Sequence, residues 1–297
     1  MPDSVHFIMM LSNNNWMFKG LENLVQSIKI NCSNKTYFSC IFQGEKKENN
    51  AEITNKFGMK KIKYEEIEKI TKFKNSRIVR ENVEFIYCPY FWELGLPCRW
   101  FIKPKSEICI MIDVDMLCCN SLDEVFSLDK NKMHGCIALD NSYVNRTELN
   151  KIGISEKTLN KYYINFGFVV VPSKYLIDIG TELFHSYPTL EKKFKYYTGQ
   201  VALANSMKKL NIPLNILNPQ KYNCYDCFLP HHNKKLINKI TNENGKTTFE
   251  YENSTSNEPI FLHLMDNRQG LYENQININQ TGRYALRKIK QYKILLN

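Results

Sequence analysis

Two carboxylates stand on alternate residues, Asp113-Val114-Asp115, directly after the apolar run Ile108-Cys109-Ile110-Met111-Ile112. A uniformly apolar run of this length reads as a central strand buried on both faces. Carboxylates leaving such a strand at its C-terminal edge are costly to hold together unless a cation compensates them. In open α/β sheets that edge is where ligands sit. Mg²⁺ and Mn²⁺ favour carboxylate, water and phosphate oxygens, so a diphosphate would complete the coordination shell. The metal would then act as a Lewis acid on a departing diphosphate. Taken alone, the motif also fits a solvated pair just past a strand, with Asp115 capping a short turn.

The elements that must position this pair follow from periodicity. Val5 to Leu11 reads as an opening strand, and the polar loop Ser12-Asn13-Asn14-Asn15 follows it. From Trp16 to Ile30 the chain is amphipathic, with Leu21, Leu24, Val25 and Ile28 on one helical face. A second strand is expected from Thr36 to Phe42, completing the opening unit of a parallel α/β sheet. Residues 43–75 are polar and read as loop and exposed helix, and 84–101 read as an aromatic, proline-punctuated helical region carrying Arg99. Further strands are expected at 135–139, 167–171, 214–217 and 260–264, and helices at 174–184 and 200–210. Residues 240–258 read as a surface excursion, and 282–296 as a basic amphipathic helix. The sum is an α/β chain with a mostly parallel, Rossmann-like central sheet flanked by helices. We assign one domain at 1–282 and a C-terminal basic helix at 283–297.

Composition narrows the partners. The 297 residues are 43% hydrophobic and 24% charged, as in globular proteins. The net charge of +10 allows an anionic partner, but the cations are spread along the chain. Nucleic acid is therefore not favoured, since a binder gathers its charge on one element. No signal peptide is visible, and no run approaches the ~18 apolar residues of a membrane span, so a cytoplasmic protein is expected. Ten cysteines in that setting read as reduced thiols, with Cys118 and Cys119 in the core. Cys224-x-x-Cys227 with His231-His232 looks like half a zinc site, but its spacing favours loop cysteines without metal. The terminal Arg283, Arg287, Lys288 and Lys290 allow peripheral contact with an anionic membrane, although a solvated helix closing the domain is favoured.

The stretch Ile108 to Phe126, ICIMIDVDMLCCNSLDEVF, resembles the Asp-x-Asp segment of GT-A glycosyltransferases. It is most similar to glycosyltransferase family 8 and to the capsid glycosyltransferases of large DNA viruses. The resemblance spans roughly residues 5–270 through several short motifs in order. It implies a GT-A fold and a site holding Mn²⁺ or Mg²⁺ on Asp113, Asp115 and His263, the last in Phe261-Leu262-His263-Leu264. It places Ser12 and Asn14 where the nucleotide base is cradled, and Arg99 near the diphosphate. Asn165, in Asn165-Phe166-Gly167-Phe168-Val169, would border the sugar, and the amide of Gln200 would orient donor or acceptor. The pattern departs at Gly199 and Val201, where acids are expected. It departs again at Asp266, which takes a glycine's place and leaves Arg268 as the nearest cation for a phosphate.

The implied function is metal-dependent transfer of a sugar from a nucleotide-sugar, by family analogy a UDP-sugar, to a hydroxyl of a glycan or glycoprotein. A haloacid dehalogenase-type phosphatase would need Thr where Leu117 stands and a late acidic pair where only Asp266 is found. A sugar nucleotidyltransferase would need a Gly-rich loop in place of Ser12-Asn13-Asn14-Asn15. A non-catalytic carbohydrate-binding module would use Tyr90, Phe91, Trp92 and Trp100 for stacking and would not require the acids.

Overall fold

A computed structural model describes residues 3–46, 58–71, 76–90, 96–138, 144–194, 197–225, 237–243, 246–251, 256–264 and 280–296. The chain opens with β1 (Ser4–Leu11), α1 (Asn15–Asn31) and β2 (Lys35–Lys46), as the periodicity predicts. β3 (Lys60–Ile62), α2 (Tyr64–Ile70), α3 (Arg77–Asn82) and β4 (Val83–Tyr90) follow. A 3₁₀ turn at Arg99–Phe101 precedes β5 (Ile108–Ile112), β6 (Met116–Cys118) and α4 (Asp123–Phe126). β7 (Met133–Ile137), α5 (Arg146–Lys151), α6 (Glu156–Tyr162) and β8 (Ile164–Pro172) lead to the long α7 (Leu176–Phe194) and to α8 (Thr198–Lys209). β9 (Leu214–Leu217), α9 (Pro219–Tyr222) and β10 (Cys224–Tyr225) come next. The described chain finishes with β11 (Ile237–Glu243), β12 (Lys246–Tyr251), β13 (Ser256–Asn257), β14 (Phe261–His263) and α10 (Gln280–Leu296).

Eight strands form one sheet in the order β3-β4-β2-β1-β5-β8-β7-β9. The run β4-β2-β1-β5 is parallel, and so is β7-β9, whereas β8 lies antiparallel to both β5 and β7. Both faces of the sheet are covered. On one, Ile108, Ile110 and Ile112 pack with Leu21, Leu24, Val25 and Ile28 of α1. On the other, Cys109 and Met111 pack with Trp100, α7 and α8. β5 is thus buried on both sides, as its continuous apolar run requires. Each of the four α1 side chains is fully buried and contributes about 1.5–3 kcal/mol.

A second sheet, β10-β14-β6, continues from the rim of the first. It shares a small core with Phe249 of β12 and with Tyr284, Ala285, Ile289 and Tyr292 of α10. The Tyr292 hydroxyl donates to the Cys118 carbonyl (3.1 Å), while Arg283, Arg287 and Lys290 face solvent. Among the described residues no helix is long and apolar enough to cross a membrane.

Three sequence readings are corrected. Residues 83–90 form a strand, not a helix, pairing in parallel register with β2 from Phe38↔Val83 to Gln43↔Cys88. Phe85 packs toward one core and Cys88 toward the other, so the aromatic run has a period of two. Among the described residues of this region, helix is found at 96–101, which carries Arg99. Within 43–75, β3 adds an edge strand antiparallel to β4, and α2 buries Tyr64 and Ile67. The excursion at 240–258 contains a three-stranded antiparallel sheet, β11-β12-β13. It is clamped to the body by Asn120, whose amide bonds Thr247 N (2.7 Å), Thr247 O (2.9 Å) and Pro259 O (2.7 Å).

His6 on β1 is fully buried, its Nδ1 accepting from the Lys105 amide (3.2 Å) and its Nε2 meeting Ser39 Oγ (2.8 Å). Burial, reinforced by the Lys105 charge and opposed by Glu84, pushes its pKa from 6.5 down to about 4. Between those values the unfolded chain binds the proton and the folded chain does not. This residue's contribution is therefore intact above pH 6.5 and is lost as pH falls toward 4, by about 1.4 kcal/mol per pH unit. We expect His6→Gln to remove that part of the pH slope in urea unfolding. Parallel pH profiles for wild type and variant would exclude it.

Candidate active site

β1 and β5 run parallel as neighbours, so Leu11 and Ile112 end at the same edge of the sheet. Beyond Ile112 the Asp113 amide donates to the Gly167 carbonyl of β8 (3.0 Å), and the Met116 amide returns to the Asp113 carbonyl (3.3 Å). This tight turn sends the chain into β6. β6 pairs antiparallel with β14 in the register His263↔Met116, and the Leu264 amide bonds the Asp115 carbonyl (2.8 Å). Backbone pairing alone thus carries His263, 148 residues downstream of Asp115 in the sequence, to within 3.3 Å (Nε2 to Asp115 Oδ1).

Asp113, Asp115 and His263 each offer one ligand atom, and these atoms lie within 4.8 Å of one another. Among the described residues this is the only such group of His, Cys, Asp or Glu. Asp115 and His263 are buried, while the Asp113 side chain is 43% exposed at the mouth. Desolvation and the Asp115 charge hold the Asp113 carboxyl above its ordinary pKa, against the pull of Arg99 and His263. The donor set is two carboxylate oxygens and one imidazole nitrogen with excess negative charge, which fits a divalent cation taking oxygen and nitrogen ligands.

Arg99 lies directly beneath. It is 1% exposed, with its guanidinium 4.4 Å from the Phe166 ring centroid, Nη2 donating to the Phe166 carbonyl (3.1 Å) and Nη1 3.6 Å from Asp113 Oδ1. Its turn is seated under α7 because Gly180 allows close approach. A Cβ there would lie 2.8 Å from Trp100 Cβ. Asn165 enters β8 with its Oδ1 accepting from the Gly167 amide (2.8 Å). Gly167 stands between these side chains. A Cβ at that position would lie 2.8 Å from both Asn165 Oδ1 and Asp113 Oδ2, and 2.9 Å from His263 Cε1.

The structure therefore brings together Asp113, Asp115, His263, Arg99 and Asn165. Ser12 and Asn14 lie at the same sheet edge, at the N-terminus of α1. There Asn14 caps the Trp16 amide (3.1 Å) and the Ser12 hydroxyl meets Met17 Sδ (3.1 Å). Gln200 is half-buried in the first turn of α8, next to Gly199, which faces the Phe166 ring. Arg268, Asp266, Cys227, His231 and His232 lie outside the described residues, while Cys224, Cys118 and Cys119 are buried thiols. Sequence reasoning missed Asn223, which is fully buried with Oδ1 2.8 Å from His263 Nδ1. Its only signal is one polar residue between Tyr222 and Cys224. Gly167 was visible as part of a strand entry but not as the spacer between Asp113, Asn165 and His263.

By sequence, the chain matches no protein-family model and no curated protein. By structure it is similar to the glycosyltransferase GlyE of Streptococcus pneumoniae TIGR4, with a TM-score of 0.55 at 12% identity over 98% of this chain and 62% of that one. It is similar to the galactosyltransferase LgtC in complex with donor and acceptor sugar analogs, with a TM-score of 0.52 at 12% identity over 95% and 100% of the two chains. It is also similar to mouse xyloside xylosyltransferase 1 in its apo form, with a TM-score of 0.50 at 11% identity over 89% and 99%. The eight-stranded sheet with β8 reversed in its middle is accordingly a GT-A fold, the fold of these glycosyltransferases.

Proposed function

We propose that the chain is a metal-dependent glycosyltransferase. It takes a sugar from a nucleotide-sugar, a UDP-sugar by preference, and delivers it to a hydroxyl of a glycan or glycoprotein. The observation that carries this reading is the convergence of Asp113, Asp115 and His263 at the C-terminal edge of the parallel strands, beside the N-terminus of α1. These three residues would hold Mn²⁺ or Mg²⁺. When bound, that ion supplies positive charge to the diphosphate as it leaves.

The remaining work belongs to the chain's own groups. The positive end of the α1 dipole favours a phosphate at this edge, and Ser12 and Asn14 flank the base. Arg99 fixes Asp113 by charge from below. Asn165 spends its Oδ1 on Gly167, which leaves its Nδ2 to donate to a sugar hydroxyl. The amide of Gln200 orients donor or acceptor without adding charge. In the transfer, the bond from the anomeric carbon to the diphosphate oxygen breaks and its electron pair stays with the diphosphate. A bond to the acceptor oxygen forms, and the hydroxyl proton departs to solvent or to the leaving group. Positioning and electrostatics of this kind account for most of the barrier reduction expected here.

Hydrolysis of a UDP-sugar needs no acceptor and so tests the reading directly. Wild type should release UDP with Mn²⁺ and stop on chelation. Asp113→Asn and Asp115→Asn should each lower kcat/KM by about 10³-fold, or ~4 kcal/mol, with the far-UV circular dichroism unchanged. Near-normal metal-dependent turnover in both variants would defeat the proposal. Gly167→Ala drives a methyl between the ligands, so we expect Mn²⁺ affinity to drop by about tenfold or more, with ~1–3 kcal/mol of overpacking strain. Unchanged Mn²⁺ titrations for that variant would remove Gly167 from the site.

A further inference from the structure

We infer that Asn223 is the positioning residue that fixes His263 as the Nδ1–H tautomer, turning its Nε2 lone pair toward the two carboxylates. This rests on the metal-site reading above and adds to it the group that makes His263 competent as a ligand.

An imidazole ligates a cation only through a nitrogen without a proton, and the bond made by the other nitrogen decides which one that is. Asn223 Oδ1 is an acceptor, so at 2.8 Å it requires the proton on Nδ1. Nε2 is then bare, 3.3 Å from Asp115 Oδ1. Two lone pairs facing each other in a buried site repel unless a positive charge lies between them. The reverse tautomer would place an Nε2–H against Asp115. That would make a closed hydrogen bond, consuming both groups and leaving only Asp113, beside Arg99, at the mouth. The orientation of one neutral amide therefore separates a cation-binding triad from a self-satisfied pair.

The backbone holds this arrangement in place. Asn223 follows α9, and its amide donates to the Pro219 carbonyl (3.1 Å). The next residues pair with β14 in parallel, Cys224↔Leu262 and Tyr225↔His263, and the Ile260 amide bonds the Lys221 carbonyl (2.7 Å). Lys221 is in turn anchored to Glu124 of α4 at 2.6 Å. Asn223 stands immediately before the strand that pairs with β14, and it and His263 are 0% and 4% exposed, so neither can turn away into water. Partners of this kind set ring orientation and ligand strength at metal sites.

The test uses the full chain with three readouts. Long-range ¹⁵N–¹H spectra of the metal-free protein, assigned with His263→Gln, report the tautomer. Mn²⁺ paramagnetic resonance titrations report affinity, and metal-free thermal melts report packing. We expect the Nδ1–H form in wild type. Asn223→Leu should give mixed tautomers and bind Mn²⁺ about 10- to 100-fold more weakly. Asn223→Asp keeps the acceptor and should restore one tautomer and wild-type or tighter Mn²⁺ binding, whatever its melting temperature. The inference is overturned by an Nε2–H tautomer in wild type, by full Mn²⁺ affinity in Asn223→Leu, or by an Asn223→Asp variant as weak as Asn223→Leu. An Nδ1–H wild type that binds neither Mn²⁺ nor Mg²⁺ would support the assignment to Asn223 while refuting the metal reading itself.

Discussion

Two negative side chains held at the rim of an apolar sheet are the constraint around which this molecule is arranged. Asp113 and Asp115 cannot separate. The first is tied through its backbone to β8, and the second through its own to the residue after β14. Their repulsion is met from two sides. Arg99 lies below Asp113 in a position where desolvation disfavours its own charge, a cost the neighbouring carboxylate offsets in part. His263 lies beside Asp115, backed by Asn223. Three elements near the rim contribute to these supports: α7 seats the arginine turn, β14 presents the histidine, and β8 supplies the glycine that leaves room between them.

The reversal of β8 is what allows this. A wholly parallel sheet would send every strand out at the same edge, with its loops crowding over the carboxylates. Because β8 runs against β5, its entrance lies at the edge where β5 exits, with Ile112 opposite Phe168. Asn165, Phe166 and Gly167 therefore arrive at the site as the start of a strand and not as a loop. A strand fixes the position of a side chain more precisely than a loop does. The short β6 then carries the chain from Asp115 into the second sheet. Sheet pairing thus connects the acidic turn to Asn223 without any long loop among the described residues.

Most of the fold could be read from periodicity. The uniform apolar run of β5, the four-residue stripe of α1 and the bounds of β9 all follow from patterns that report burial directly. β4 was misread because Pro89 and a run of aromatics mimic an irregular helix. Its alternation toward two different cores shows only when both faces of the sheet are known. The antiparallel sheet at 237–257 was read as a surface segment because Thr, Asn and Glu dominate it. Its burial rests on Thr247 and Phe249 and on a hydrogen-bond clamp from distant Asn120, which composition cannot reveal. In the site, charged residues announce themselves by their cost. Asn223 and Gly167 do not, since one acts through a single hydrogen bond and the other through the absence of a side chain.

The two acids are not equivalent, and the difference follows from their backbones. Asp115 is 5% exposed at its side chain and sits between two paired strands, with His263 against it. Asp113 is 43% exposed and compensated from below by a guanidinium that cannot leave. The open side of the triad is therefore Asp113's. Asp115 and His263 form the closed wall that sets where charge can collect. One intervening residue, Val114, separates the carboxylate of the wall from the carboxylate of the mouth. Val114 itself is buried with the α1 side of the core, so the turn is anchored between the two charges by apolar packing.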